Sequence, residues 1–339
     1  MKAALIGLGM VSRTYGEALR ASRKVSLQSA YAPSLDSQER FLCAFPDVCS
    51  KIARSVQEIA DDPAVDFAIV TTPPNARRDI VEKLAAAGKP ILMEKPIERT
   101  LEAATELVDL CEALNVPLGI VLQHRARPVV ATLRDRMDRL GALIAVELSV
   151  PWWRPQAYYD EPGRGSYERD GGGVLISQAI HTLDLMLSLT GPVTEVTAMC
   201  ATTAFHSMEA EDFVSAGLGF ANGAVGQVFA TTASYPGSGE TIRLHCQNGS
   251  AYLAAGVLRL DYHDGSSEEV GSAAGSGAGA DPMAFTSDWH QSIIEDFADA
   301  IATDRPPLVT GREALMVHGL ITAIEEAGRS GQRVSIKGM

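Results

Sequence analysis

Two kinds of hydrophobic spacing divide the chain. From Lys2 to Leu122 short apolar runs alternate with stretches whose apolar positions recur every three or four residues. The runs KAALI (2–6), VSLQSAY (25–31), VDFAIVT (65–71), 90–93 and LGIVL (118–122) are bounded by Gly, Pro or Asn and predict strands. Val11 to Leu19, Asp36 to Phe45, Ala76 to Ala87 and Leu101 to Leu114 have the helical period. Pro46 stops the second of these helices, Gly88 closes the third and Thr100 caps the fourth. Ser55 with Glu58 is a capping box for a short helix at VQEIA. Strands alternating with helices over short connections predict an α/β domain with a doubly wound parallel sheet over residues 1–124.

Beyond residue 125 the period changes. A helix over Pro128–Leu140 and a strand at ALIAVELSV precede a long aromatic and charged segment, Pro151 to Asp170. Gly171-Gly172-Gly173 opens a helix, VLISQAIHTLDLMLSLT, that Gly191-Pro192 ends. From Val193 the alternation is of period two, with turn signals at Asn222-Gly223, Asn248-Gly249 and Asp264-Gly265. This predicts an α+β domain over 125–339, with a large, mostly antiparallel open sheet covered on one face and free on the other. GSAAGSGAGA (271–280) is low-complexity. Two helices, 284–303 and 312–329, close the chain before a final strand at RVSI, and are expected to pack back on the first domain. His290 faces either a ligand cleft or, as a plain surface residue, solvent.

The totals narrow the partners. With 339 residues, 46% apolar and 21% charged, the chain has room for two globular cores. A net charge of −13 argues against a general nucleic-acid or anionic-membrane surface. No apolar run is long enough to span a bilayer and no targeting signal is visible, so a cytoplasmic location is expected. Five dispersed cysteines read as reduced thiols, and seven dispersed histidines show no metal-ligand spacing, so no metal is expected.

The candidate chemistry begins at the N-terminus. The first run breaks into Gly7-Leu8-Gly9-Met10-Val11-Ser12 and a helix follows. A strand, a glycine turn and a helix start suit a dinucleotide pyrophosphate: Gly7 for the tight turn, Gly9 for close backbone approach, and free N–H groups with a positive dipole end beyond them. The same turn also serves in α/β proteins that bind no nucleotide. Ser12 takes the third position, where Gly or Ala is usual. Roughly 20 residues beyond the glycines an acid should bind the ribose 2′-hydroxyl. Here Ala32 stands, followed by Pro33 and Ser34. Without the carboxylate a 2′-phosphate is not repelled and Ser34 or Arg13 can contact it, so NAD and NADP are equally open. Two more loops end strands on the same sheet edge, Thr71-Thr72-Pro73-Pro74 and Glu94-Lys95-Pro96. In the second half, Trp153, Arg154 and Tyr159 bring the ring faces and charged donors that suit a sugar-like ligand. His181 and Asp184 lie at i and i+3 on the helix after the glycine run, with Ser177 one turn earlier and Gln178 beside it.

The glycine turn, the T-P-P loop and the E-K-P turn some twenty residues later together resemble the glucose–fructose oxidoreductase and inositol dehydrogenase family (Gfo/Idh/MocA), as does G-G-G followed by H-x-x-D, and the likeness runs from Met1 to about Ile336. Two positions depart from the family pattern: Arg77 stands where a His is usual, and Ser177 where Asp or Asn is usual. The resemblance implies a Rossmann domain binding NAD or NADP through Gly7, Gly9, Met10, Val11, Ser12, Ser34, Thr71, Thr72, Pro73, Pro74, Glu94 and Lys95. It implies His181 as general acid/base with Asp184 behind it, Lys95 orienting and polarising the substrate, and a cis bond before Pro96. Trp153, Arg154, Tyr159, Ser177 and Gln178 are then the substrate contacts. An imidazole, with an ordinary pKa near ~6.5, suits the proton exchange that accompanies hydride transfer. The reaction implied is oxidoreduction of a CH–OH carbon in a sugar, sugar derivative or cyclic polyol, in a homodimer or homotetramer built on the C-terminal sheet. The alternatives are a non-catalytic NAD(P)- and sugar-binding regulator of the same fold, and a nicotinamide-assisted elimination.

Overall fold

The computed structural model describes residues 1–49, 51–272, 279 and 286–336. It separates into two compact units, Met1–Ala126 with Thr286–Ala314, and Arg127–Phe285 with Leu315–Met339.

In the first unit the apolar runs become β1 (Lys2–Ile6), β2 (Ser26–Tyr31), β3 (Phe67–Val70), β4 (Ile91–Glu94) and β5 (Leu118–Val121), all parallel, in the order β2-β1-β3-β4-β5. Every residue of β3, β4 and β5 is buried, which is why these strands read as unbroken apolar runs and not as alternation. Between the strands run α1 (Ser12–Ala21), α2 (Leu35–Ala44), α3 (Val56–Asp61), α4 (Arg78–Ala86) and α5 (Leu101–Ala113). The expected caps are present. The Ser55 hydroxyl accepts from the Glu58 N–H at 3.1 Å and the Glu58 carboxylate accepts from the Arg54 N–H at 2.8 Å. Thr100 accepts from the Ala103 N–H at 3.2 Å. β1 has β2 on one side and β3 on the other, so the order reverses there, and a doubly wound sheet binds ligands beyond the strand ends at such a point.

Two helices differ from their spacing. Ala76–Ala87 was expected to be one helix, but a 3-10 turn covers Pro74–Ala76 and α4 begins at Arg78. The side chain of the intervening Arg77 turns back into the protein and is 2% exposed.

The second unit opens with α6 (Pro128–Leu140) and β6 (Leu143–Pro151). Within the aromatic and charged segment lie a short helix α7 (Gln156–Tyr159) and a bridge between Trp153 and Ala233. The helix expected over 174–190 starts as a π-helical turn, Leu175–Ala179, before α8 (Ile180–Thr190). The sheet adds β7 (Val193–Ala201), β8 (Phe213–Phe220), β9 (Val225–Thr231), β10 (Thr241–Cys246), β11 (Gly249–Ala254), β12 (Val257–Tyr262) and β13 (Ser267–Gly271), the last not foreseen. Pairing is antiparallel except between β6 and β9. Alternation along β8, β10 and β12 puts every second residue in the core, and the opposite face carries Ser215, Arg243 and Arg259.

The chain then returns to the first unit as α9 (Asp288–Thr303), passes between units along α10 (Gly311–Ser330) and ends at β14 (Val334–Ser335), which pairs with β7. α9 lies on the parallel sheet because β5 offers Gly119: a Cβ there would sit 2.7 Å from the Phe297 ring. Most of the 271–280 run and the first residues of the helix expected from 284 lie outside the described residues.

Candidate functional site

At the switch point of the first unit the glycine turn is held from both sides. The Gly7 N–H donates to the Tyr31 carbonyl at 2.8 Å, and the Thr71 hydroxyl donates to the Gly7 carbonyl at 2.6 Å. Gly7 has φ +105°, and a Cβ on it would lie 2.8 Å from the Thr72 nitrogen, so only glycine fits. Gly9 is the opposite case, with nothing within 4 Å of a Cβ. Ser12 has its own use in the third position. Its hydroxyl donates to the Gly9 carbonyl at 2.7 Å and closes the turn onto α1. The first turn of α1 holds no acid, Val11 caps it without a side-chain bond, and Met10 is half exposed. Bare backbone at Gly9, a helix start and no competing carboxylate fit a dinucleotide pyrophosphate.

The end of β2 carries no acid. Ala32, just past β2, is buried, and its carbonyl accepts from the Gln38 side chain at 2.7 Å. Ser34 is the N-cap of α2, accepting from the Ser37 N–H at 3.3 Å, which leaves its own hydroxyl proton to donate.

Beyond β3 and β4 the two remaining loops are tied together by Arg77. Its Nε and Nη2 donate to the Thr72 carbonyl at 3.0 and 2.8 Å. Nη1 donates to the carbonyls of Glu94 and Pro96, and Nη2 reaches that of Lys95 at 3.5 Å. The Lys95–Pro96 bond is cis, and Pro74 starts the 3-10 turn after Pro73. Burial pulls the Arg77 guanidinium down to about 10, still charged at neutral pH.

A second buried cluster backs the lysine turn. The Tyr15 hydroxyl of α1 donates to Glu94 Oε1 at 2.8 Å, and Glu94 Oε2 accepts from the Lys95 N–H at 3.0 Å. His290 of α9 is no surface residue: it is 2% exposed, with Nε2 3.8 Å from Glu94 Oε1 and its ring edge-on to Tyr15. Burial, with the Lys95 charge adding to it, pushes His290 down to about 3, so it is neutral. Burial likewise raises the carboxyl of Glu94 and the phenol of Tyr15. Of this cluster the sequence assigned Glu94 a role and left His290 between cleft and surface; that Tyr15 and His290 meet at Glu94 was not legible, because they come from elements far apart in the chain.

In the second unit the glycine run and the helix behind it are set by Glu211. Its two carboxylate oxygens accept from the N–H groups of Gly173 at 3.1 Å and Leu175 at 3.0 Å, and its carbonyl accepts from that of Val174 at 2.9 Å. A Cβ on Gly173 would overlap the Glu211 carbonyl, which explains the glycine there. Behind this start the helix carries Ser177, Gln178, His181 and Asp184, the last three buried. Gln178 Nε2 donates to the Tyr158 hydroxyl at 3.5 Å, while its Oε1 is buried with no hydrogen-bond partner among the described residues. Tyr159 points elsewhere, sharing a hydrogen bond of 2.8 Å with the Thr232 hydroxyl. Arg154 is buried with its guanidinium near the rings of Trp152 and Tyr158, and its carbonyl meets Nε2 of His206, which bonds Asp212 through Nδ1. Trp153 packs its ring against Phe205 and Tyr235. The structure thus places Gly7 to Ser12, Thr71 to Pro74, Glu94 and Lys95 on the strand-end loops of one unit, and Ser177, Gln178, His181 and Asp184 on the glycine-run helix of the other, with Trp153, Arg154 and Tyr159 outside that helix.

Comparison with known proteins finds a family match in each unit. Residues 1–121 match the model of an oxidoreductase family with an NAD-binding Rossmann fold, and residues 130–252 match the GFO/IDH/MocA C-terminal domain. The chain belongs to the Gfo/Idh/MocA family. Its first unit is therefore an NAD-binding Rossmann domain. Among family members, the 1,5-anhydro-D-fructose reductase of Ensifer adhaerens is 25% identical over 98% of this chain and 98% of its own. An uncharacterized protein of Saccharomyces cerevisiae is 30% identical over 44% of this chain and 43% of its own length, so this chain spans less than half of that relative. Levoglucosan dehydrogenase in complex with NADH and levoglucosan shares the fold over the full length of both chains, with a TM-score of 0.87 and 21% identity.

Proposed function

We propose that this member of the family is an NAD(P)-dependent oxidoreductase moving a hydride between nicotinamide and a hydroxyl-bearing carbon of a sugar, sugar derivative or cyclic polyol. One observation carries the reading: the Glu94-Lys95-Pro96 turn is bonded through Tyr15 to the same helix that the glycine turn opens. That arrangement supports a cationic side chain beside a dinucleotide corner. The dinucleotide, when bound, supplies the hydride acceptor or donor. The backbone around Gly9 and the start of α1 hold its phosphates, with Thr71 to Pro74 on the neighbouring strand end. Lys95 hydrogen-bonds the substrate oxygen and stabilises charge that develops on it. His181 takes or returns the hydroxyl proton, with Asp184 behind it on the helix. Gln178, with a buried acceptor oxygen to fill, and Ser177 contact hydroxyls, with Trp153, Arg154 and Tyr159 shaping that side. The free sheet face is the surface assigned to self-association as a dimer or tetramer.

The test is a fluorescence titration with NADH and NADPH, then a sugar and polyol panel that includes 1,5-anhydro-D-fructose and levoglucosan, followed at the nicotinamide absorbance. Lys95→Ala and His181→Ala are each expected to abolish turnover, with cofactor affinity within about threefold of the parent protein. Turnover retained in both variants would overturn the assignment, and cofactor binding without turnover on any substrate would turn the reading to a regulator.

A further inference from the structure

Arg77 stands where the family pattern has histidine, and its surroundings give that exchange a use. A guanidinium 2% exposed needs its donors satisfied. Here no carboxylate bonds it among the described residues. Its bonds among the described residues go to main-chain carbonyls: Thr72 from the loop after β3, and Glu94, Lys95 and Pro96 at the end of β4 and in the loop after it. Three consecutive carbonyls bracketing one residue leave that residue's backbone little room to turn. The planar fork of arginine can serve such a set, and the three-fold ammonium of lysine or the two nitrogens of histidine cannot reach all of it. The charge of Glu94 beside it favours the cation without a direct bond.

We propose that Arg77 is a positioning residue: its guanidinium locks the Glu94-Lys95-Pro96 turn to the Thr72 turn and so sets where the Lys95 ammonium stands. The role rests on the reading of Lys95 as the substrate-orienting residue. A merely structural arginine would hold the fold and leave the lysine's behaviour unchanged, and this difference is measurable without turnover.

The experiment compares the parent protein with Arg77→Ala and Arg77→Lys by amine labelling of the folded protein, read at Lys95 by peptide mass spectrometry with the exposed Lys83 as internal reference. In Arg77→Ala the Lys95 labelling rate relative to Lys83 is expected to change at least fivefold, and millimolar guanidinium, but not sodium chloride or methylammonium, to bring it back toward the parent value. Arg77→Lys is expected to show the changed rate with no rescue. Where a substrate is in hand, kcat follows the same pattern and is rescued by guanidinium. An unchanged Lys95 rate in either variant, or a changed one that guanidinium leaves untouched in Arg77→Ala, would overturn the proposal. Should Arg77→Ala fail to fold, Arg77→Lys decides by its labelling rate. A parent protein that turns over no substrate while the labelling responds as expected would leave Arg77's role standing and defeat the sugar oxidoreductase reading instead.

Discussion

Alanine at Gly9 and alanine at Gly7 separate the folding of the glycine turn from its use. A methyl at Gly9 meets no heavy atom within 4 Å, and the backbone there is not left-handed. Such a change narrows the unfolded ensemble and stabilises by ~0.4–1 kcal/mol. At Gly7 the φ of +105° and a Cβ 2.8 Å from the Thr72 nitrogen and 2.9 Å from the Thr71 carbonyl carbon leave little relaxation, because these two neighbours are main chain. The conformation alone costs ~1–3 kcal/mol for a residue with a side chain. Urea denaturation followed by circular dichroism without cofactor, beside NADH fluorescence titration, measures both effects. Gly9→Ala is expected to unfold at or above the parent midpoint with its NADH affinity weakened at least tenfold, or ~1.4 kcal/mol. Gly7→Ala is expected to lose at least ~1 kcal/mol of stability as well as binding. NADH binding by Gly9→Ala within about twofold of the parent would refute the assignment of the open side of Gly9 to the phosphates.

Two carboxylates behind the glycine run of the second unit give the remaining predictions. Burial and the neighbouring Glu211, opposed by Arg329, push Glu325 from 4.5 up to about 7. A carboxyl raised on folding gives a stability that is full below pH 4.5 and falls as pH rises through about 7, by ~3 kcal/mol at ~1.4 kcal/mol per tenfold. Glu325→Gln should therefore exceed the parent by up to ~3 kcal/mol at pH 8 and converge with it below pH 4.5; a difference that does not vary with pH across denaturation curves would contradict this. Glu211→Gln should lose ~1–3 kcal/mol, since one amide end then faces an N–H donor it cannot accept. Faster amide exchange along α8 would accompany that loss, and unchanged exchange and stability would count against the role given to Glu211.

How far the molecule could be read in advance depends on where each partner lies in the chain. The parallel sheet was legible because its strands are buried over their full length, and the open sheet because Asn-Gly and Asp-Gly turns punctuate alternating runs. Gly7, Gly9 and the Thr71 and Glu94 loops were legible because a few adjacent residues do the work. The π-helical turn was not, because it answers to Glu211, more than thirty residues away, drawing the N–H groups of Gly173 and Leu175. α4 began late for the same kind of reason, its predecessor Arg77 being committed to carbonyls on two other loops.

Arg77 also shows what a departure from pattern is worth. Read along the chain it was only a histidine missing from its usual place. In the fold it is a buried cation whose donors converge on the turn carrying Lys95. Ser177 is the second departure, and there the neighbour matters more: Gln178, one residue on, is 3% exposed with an unfilled acceptor. A buried acceptor without a donor costs ~1–3 kcal/mol, which a ligand hydroxyl would recover on binding. The amide nitrogen of the same glutamine reaches the Tyr158 hydroxyl at 3.5 Å. A ligand hydroxyl is the donor proposed for Gln178 Oε1, beside Ser177 where Asp or Asn is usual.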